Sequence, residues 1–185
     1  MVAVTIDARQ MRRLERAVGH IKQGVPKVLV PSINRALNKG RSVIKKEIRK
    51  VYIIKAKDIP INRKAAFHGM AKAAGGYGGT LQVRDTMMFL DKFFTTGGVR
   101  RRPLFARVKV GGGGTIGYGF KWDLRTYKRV GPERLPIKRL YAISAPIMAS
   151  QPTVGPEVNK AMGDSLDKNI DQQIKRVLAA AGGKS

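Results

Sequence analysis

The chain has 185 residues, of which 37 are Lys or Arg and 12 are Asp or Glu, so its formal net charge is +25 at pH 7. Apolar residues make up 43% of the chain, which excludes a charged disordered tail and favours one folded domain over residues 1–185. The lack of cysteine excludes disulfides and thiolate metal sites, and the large positive charge indicates a polyanionic or acidic partner.

The N-terminal part, residues 1–64, is predicted to be helical. Residues 7–19 have apolar side chains at helical spacing after a candidate N-cap, Asp7. Residues 26–52 are predicted to form a longer, strongly basic amphipathic helix, which Pro31 either kinks or begins. We assign four residues of its apolar stripe to a subunit interface: Ile33, Leu37, Ile44 and Ile48.

A β-sheet part is predicted for residues 80–150, after a connector at 65–79 that is rich in Gly and Ala. Four segments have strand character: 80–94, 106–110, 116–122 and 126–130. The glycines of 111–114 are expected to form the turn of a hairpin between the second and third of these segments.

One strand carries aromatic side chains at every second position, namely Tyr118, Phe120 and Trp122, with Lys121 and Arg125 close by. This two-residue period is typical of a half-buried strand, so we expect the aromatic side to form the core of the sheet. The alternative is a base-stacking platform of the kind found in proteins that bind single-stranded nucleic acid.

The C-terminal part, residues 151–181, is predicted to be one long helix with Pro156 in its first turn. Apolar residues recur every fourth position along it, and we assign five of them to the subunit interface: Val158, Met162, Leu166, Ile170 and Ile174. Acidic residues are concentrated here, so this helix is expected to dock on a basic surface of a neighbouring subunit.

The composition argues against catalysis. Without Cys, only His20 and His68 are candidates for proton transfer near neutral pH, and the few carboxylates are scattered, so we expect no enzyme and no catalytic, metal or cofactor site. The glycine tracts at 75–79 and 111–119 lack the Lys-Ser/Thr of a phosphate-binding loop and are expected to be ordinary loops. The sequence has no apolar run long enough to span a membrane and no pattern of a secretory signal peptide, so we expect a soluble intracellular or virion protein.

Residues 127–148, YKRVGPERLPIKRLYAISAPIM, run from a strand through a basic turn to Pro146, which is expected to begin the final helix. Shorter motifs precede this segment in a fixed order: 33–38, 46–58, 92–94, and 106–110 followed by 119–120. Together they resemble the minor tail protein Z family of tailed bacteriophages, the tail completion proteins, over nearly the whole chain. The departures from the family are the glycine-rich insert at 71–79 and the four-glycine turn.

The resemblance implies a structural virion protein of the neck or upper tail, synthesised in the host cytoplasm, which helps to join the tail to the head. It implies an α+β protomer with N-terminal helices, a small antiparallel β-sheet and a long C-terminal helix. It further implies a homohexameric ring around the DNA channel. The partners would be tail terminator or tail tube proteins, head–tail connector proteins and genomic DNA, without a membrane, a cofactor or catalytic residues.

Our hypothesis assigns contact with DNA or an acidic partner ring to six basic residues: Arg100, Arg101, Arg102, Arg125, Lys128 and Arg129. Two other functions stay open. One is a free-standing basic nucleic-acid-binding protein without sequence specificity. The other is a membrane-surface protein that uses the basic long helix.

Overall fold

The computed structural model of the protein describes residues 2–61, 78–81, 83, 87–99 and 102–182. These residues form N-terminal helices, small antiparallel sheets and one long C-terminal helix, so the predicted α+β class is confirmed. They cluster in two compact units. Unit 1 holds the described residues up to Ile44, those of 78–81, and those from Pro152 onward, and unit 2 holds those of 45–61 and 83–151. The single domain over 1–185 stays a prediction.

The first helix of unit 1, α1, spans Ala8–Val18 and has the predicted N-cap. The carboxylate of Asp7 accepts a hydrogen bond from the backbone N–H of Gln10 at 2.6 Å, and the Gln10 side chain accepts one from the backbone N–H of Asp7 at 3.2 Å. This reciprocal pair is a capping box, which satisfies two backbone donors where the helix begins. Of the side chains of α1, those of Leu14 and Val18 are fully buried.

The second helix, α2, spans Gly24–Val51, close to the predicted range. Pro31 lies inside it, so this proline does not mark its first turn. The hydroxyl of Ser32 is buried and donates a hydrogen bond to the carbonyl of Val28 at 2.7 Å. The helix contributes its residues up to Ile44 to unit 1 and the rest to unit 2.

Unit 1 also contains a short antiparallel pair, β1 (Val2–Thr5) and β2 (Gly78–Leu81), in which Val2 lies opposite Leu81. The sequence does not predict β1, whereas the last two residues of β2 belong to the predicted strand segment 80–94. Residues 78–79, assigned to the connector, belong to β2, and the rest of the predicted connector, 65–77, lies outside the described residues.

Unit 2 contains eight short strands and a five-residue helix, α3, at Ala145–Ala149. The strands are β3 (Met87–Phe89), β4 (Phe94–Thr96), β5 (Leu104–Arg107), β6 (Gly114–Ile116), β7 (Gly119–Trp122), β8 (Arg125–Arg129), β9 (Ile137–Arg139) and β10 (Tyr141–Ser144). They pair antiparallel as β4–β5–β6, β7–β8–β9 and β3–β10. Short 3-10 turns occur at Ala56–Asp58 and Leu90–Lys92.

The last helix, α4, spans Val154–Gly182 in unit 1, with Pro156 in its first turn as predicted. Pro146 lies in α3, so the expectation that it begins the final helix is wrong. Along the stripe of α4 the side chains of Val154, Val158, Met162, Leu166 and Ile170 are buried. The amide of Gln10 donates a hydrogen bond to Asp167 at 2.7 Å, which ties α1 to α4.

The predicted strand at 116–122 is two strands that belong to different sheets. The break falls at Gly117 and Tyr118, where Tyr118 has a φ of 57° and its side chain is 70% exposed. An extended strand requires negative φ, so the β ladder ends there and the chain enters the second sheet. Period-two alternation alone does not reveal such a break.

The hairpin between β5 and β6 carries the glycine-rich turn that the sequence predicts. Its tip at Gly111 has a φ of 76°, which favours glycine, and a Cβ placed there would have no neighbour within 4 Å. Gly112 and Gly114 are exposed as well. A Cβ at Gly113 would lie 2.8 Å from the Phe105 ring, so only that position is constrained by contact with the sheet.

Candidate polyanion-binding surfaces

The sheet β7–β8–β9 places aromatic and basic side chains on one face. Phe120 lies opposite Tyr127 and Trp122 lies opposite Arg125 in the strand register, and directly opposed residues of an antiparallel pair point to the same side. Arg129 shares that side, because residues two apart along a strand face the same way. We name these five residues the aromatic face.

The opposite side of this sheet is buried only in part, since Lys128 and Lys138 on that side are exposed. Thr126 is fully buried, and the ammonium of Lys121 donates a hydrogen bond to the carbonyl of Thr95 at 2.8 Å. On the aromatic face, Trp122 is 64% exposed, and the side chains of Arg125 and Arg129 are exposed as well. The expectation that the aromatic side forms the core of the sheet is therefore wrong.

Within the aromatic face the rings lie against one another in a row. The centroids of Phe120 and Tyr127 are 5.9 Å apart with an interplanar angle of 25°, and those of Trp122 and Tyr127 are 6.1 Å apart at 49°. The guanidinium carbon of Arg129 lies 5.7 Å from the Phe120 centroid. These contacts hold the half-buried rings in place and leave Trp122 as the exposed end of the row.

The structure distributes the six predicted contact residues over several places. Arg125 and Arg129 share the aromatic face, whereas Lys128 is exposed on the other side of the sheet, opposite Lys138. Arg102 is exposed in the loop before β5, where its carbonyl accepts a hydrogen bond from the backbone N–H of Gly98 at 2.9 Å. Arg100 and Arg101 lie outside the described residues.

The positive charge of the aromatic face is not neutralised inside the protomer. Among the residues that the structure describes, neither Arg125 nor Arg129 forms an ion pair with an Asp or Glu. By contrast Arg139, on β9, lies 3.3 Å from Asp91 and has its guanidinium over the Phe89 ring. Arg139 is therefore engaged within unit 2, and the two unpaired arginines are free to meet an anion from outside.

A second basic surface lies on α1, in unit 1. Arg9, Arg12, Arg13 and Arg16 line an open groove of about 560 Å³ together with Ala17. Arg13 forms an exposed ion pair with Asp171 at 2.9 Å, and the Nε of Arg12 donates to the carbonyl of Ala8 at 3.2 Å. The predicted contact set omits this cluster, although arginines three, four and seven positions apart in a helix share a face and so signal it.

The residues assigned to a subunit interface are mostly inside the protomer. Eight of the nine are buried: Ile33, Leu37, Ile44, Ile48, Val158, Met162, Leu166 and Ile170. Ile174, near the end of the stripe, is half-buried. Because these side chains fill the protomer's own core, they do not offer a surface to a second subunit, and that assignment is corrected.

Titratable side chains are not grouped as in a metal site. Among the residues that the structure describes, no three or more His, Asp or Glu side chains form a cluster able to bind a metal ion. His20 is exposed, and His68 is outside the described residues. Of the described helices, none has the length and apolarity needed to cross a membrane.

The aromatic face, the arginine groove and the core thus have a defined geometry. No protein-family model matches the chain, and neither a curated protein nor a solved structure matches it.

Proposed function

We propose that the protein is a tail completion protein, a structural subunit of a ring that joins a phage tail to the head connector and surrounds the DNA channel. The observation that carries the proposal is the segment 127–148, which resembles the minor tail protein Z family. This segment comprises most of β8, then β9, β10 and most of α3. The longest motif of the resemblance thus falls on one continuous folded piece of unit 2.

The surface charge supports a position around DNA. The side chains of Arg102, Arg125, Lys128 and Arg129 are exposed, and the whole chain has a net charge of +25. A ring of such subunits concentrates positive charge around one axis, where phosphates neutralise it without any reading of base sequence. In this proposal the protein is not an enzyme, and its other partners are tail terminator or tail tube proteins and head connector proteins.

Subunit contacts in the ring require exposed apolar side chains, because the residues assigned by sequence are buried. Three large apolar residues are exposed on β3, β10 and α3: Met87 at 59%, Tyr141 at 52% and Ile147 at 54%. The ring of Tyr141 lies 4.9 Å from that of Phe89 on the neighbouring strand, which fixes its position. We assign the contact between neighbouring copies to these three residues.

Electron microscopy of particles assembled with and without the protein tests the proposal. When the chain is omitted, we expect the tail to lose a layer of density at its head-proximal end. We also expect such tails to lose stable attachment to heads. The variant Met87→Gln with Tyr141→Gln should lose the same layer, whereas Thr115→Ala, on exposed β6, should keep it. Unchanged tails and unchanged head joining without the chain would overturn the proposal.

One observation favours the alternative of a free-standing nucleic-acid-binding protein, namely the open aromatic face. A ring subunit needs basic charge near DNA but has no need of exposed aromatic rings for that purpose. If complete particles form without the chain while the protein co-purifies with host nucleic acid, the alternative replaces the tail proposal.

A further inference from the structure

We propose that the aromatic face binds single-stranded nucleic acid, with bases stacked on Trp122 and Tyr127 and phosphates held by Arg125 and Arg129. The inference does not depend on a role in a phage tail, because it concerns what this one surface recognises. It rests on three features of the face: the exposed Trp122 ring, two guanidinium groups without an ion pair among the described residues, and the way the strands hold these side chains.

The exposure of Trp122 indicates a partner. An indole that is 64% exposed leaves a large apolar surface in water, whereas the sheet's other side buries the polar residue Thr126 completely. The sheet therefore exposes an indole on one side and buries a hydroxyl on the other, the reverse of what folding alone favours. Such an arrangement points to a binding surface, since the Trp122 ring contributes little to the core in this position.

The rings are held in a fixed arrangement before any ligand arrives. Tyr127 contacts both Phe120 and Trp122, at centroid distances of 5.9 and 6.1 Å, and all three project from paired strands. A base that stacks on Trp122 therefore meets a side chain of restricted freedom, so that binding costs less conformational entropy than it would on a loop. Strand β7 spans about 13 Å, enough for two or three nucleotides.

The charges on the face match a phosphate backbone. Arg125 is the direct cross-strand neighbour of Trp122, and side chains in that relation have Cβ atoms about 5 Å apart. A nucleotide stacked on the indole would thus place its phosphate within reach of the Arg125 guanidinium. Arg129 lies at the other end of the row, and Asp123 is the only acid from β7 through β8.

Single strands fit these features better than the two obvious competitors. In a duplex the π-faces of the bases are already stacked inside the helix, so a duplex would engage the arginines and leave the rings unused. An acidic peptide would also pair with the arginines, but its carboxylates have no stacking surface for the indole. Both competitors are therefore distinguished from a single strand by the behaviour of Trp122.

Trp122 is the only tryptophan of the chain, so its fluorescence reports on this face alone. The protein is titrated with oligo(dT) of about 15 nucleotides. Three comparison ligands of similar length are an abasic sugar–phosphate strand, a DNA duplex and poly-glutamate. In about 0.15 M salt we expect strong quenching by oligo(dT) only, and an affinity for oligo(dT) about tenfold higher than for the abasic strand.

Variants separate stacking from general attraction to a protein of charge +25. Binding of the variants is measured with dye-labelled strands. Trp122→Ala should reduce the preference for oligo(dT) over the abasic strand about tenfold, and Trp122→Phe should retain most of this preference. Replacing both Arg125 and Arg129 by Gln should make the negative slope of log affinity against log salt shallower by about 1.4. The matched control, Arg12→Gln with Arg16→Gln, removes the same charge from α1 and should leave the preference for bases unchanged.

Circular dichroism of each variant checks that it is folded, and we expect Trp122→Ala to be folded because Trp122 is exposed. Equal affinity for oligo(dT) and the abasic strand would overturn the proposal. So would equal quenching by the duplex, which would indicate simple duplex binding, or equal quenching by poly-glutamate, which would indicate an acidic protein partner.

Discussion

The guanidinium carbon of Arg139 lies 3.2 Å from the centre of the Phe89 ring, and one of its terminal nitrogens is 3.3 Å from a carboxylate oxygen of Asp91. The contact joins β9 to the segment that runs from β3 into the following 3-10 turn. Arg139 is only 28% exposed, so water competes weakly for its charge. Arg139 therefore has a structural role, unlike Arg125 and Arg129 of the same sheet, which we assign to binding.

Replacing Arg139 by Lys should lower the free energy of unfolding by about 1 to 2 kcal/mol, because an ammonium cannot cover an aromatic ring as a planar guanidinium does. Urea unfolding followed by far-UV circular dichroism measures the change. Arg129→Lys is the matched control on the same sheet, where we expect a change below about 0.5 kcal/mol. Equal losses in the two variants would contradict the structural part assigned to Arg139.

Helix α2 packs directly against α4 at Gly40, where a Cβ would overlap Sδ and Cγ of the buried Met162. Gly40→Ala should therefore destabilise the protein by about 1 to 3 kcal/mol, despite the better helix propensity of Ala. Gly163, on the exposed side of α4, has nothing within 4 Å of a Cβ, and Gly163→Ala should stabilise by about 0.5 to 1 kcal/mol. Thermal unfolding should show a lower midpoint temperature for Gly40→Ala and a higher one for Gly163→Ala. A change in the same direction for both variants would refute the close approach.

The hydroxyl of Thr126 is buried and has no hydrogen-bond partner within the part of the chain that the structure describes. Thr126→Val keeps the shape and removes the unsatisfied group, so it should raise the free energy of unfolding by about 0.5 to 1.5 kcal/mol. Thr115→Val, at an exposed position of β6, should change it by less than about 0.5 kcal/mol. A clear loss of stability in Thr126→Val would reveal that the hydroxyl has a partner.

The capping box at the start of α1 predicts a difference between two substitutions of one residue. Asp7→Ala removes the acceptor for the Gln10 backbone N–H and should cost about 1 kcal/mol, with a loss of helical circular dichroism. Asp7→Asn retains an acceptor oxygen and should cost only a few tenths of a kcal/mol. A large cost for both would show that the charge of Asp7 matters more than its hydrogen bond.

The helices could be read from the sequence because their apolar residues recur at a spacing that only a helix brings to one side. The stripe from Val154 to Ile170 is buried as this spacing requires, and Asp7 caps α1 as predicted. The assignment of these stripes to a subunit interface was wrong, because the same apolar spacing occurs in a helix covered by the protein's own core and in one covered by a second subunit.

The strands were harder to predict, since alternation identifies which side chains share a face but not which face meets the core. Trp122 is exposed and Thr126 is buried, so hydrophobicity points to the wrong side of this sheet. The break at Tyr118 and the strands β1, β9 and β10 are also missing from the prediction, because they are short and depend on partners distant in sequence. The arginine groove of α1 was visible in the sequence as a spacing of charges.

The glycine tip of the β5–β6 hairpin has a practical consequence. Between Gly111 and Gly112 the chain projects into open space, and no Cβ at Gly111 would touch the rest of the protein. Exposed tips built from small residues are where proteins accept inserted sequence most readily. A short epitope or a cysteine for gold labelling placed there should leave the fold intact, and because the natural chain has no cysteine the mark would be unique. Such a mark would allow single copies of the protein to be located by imaging inside a large assembly.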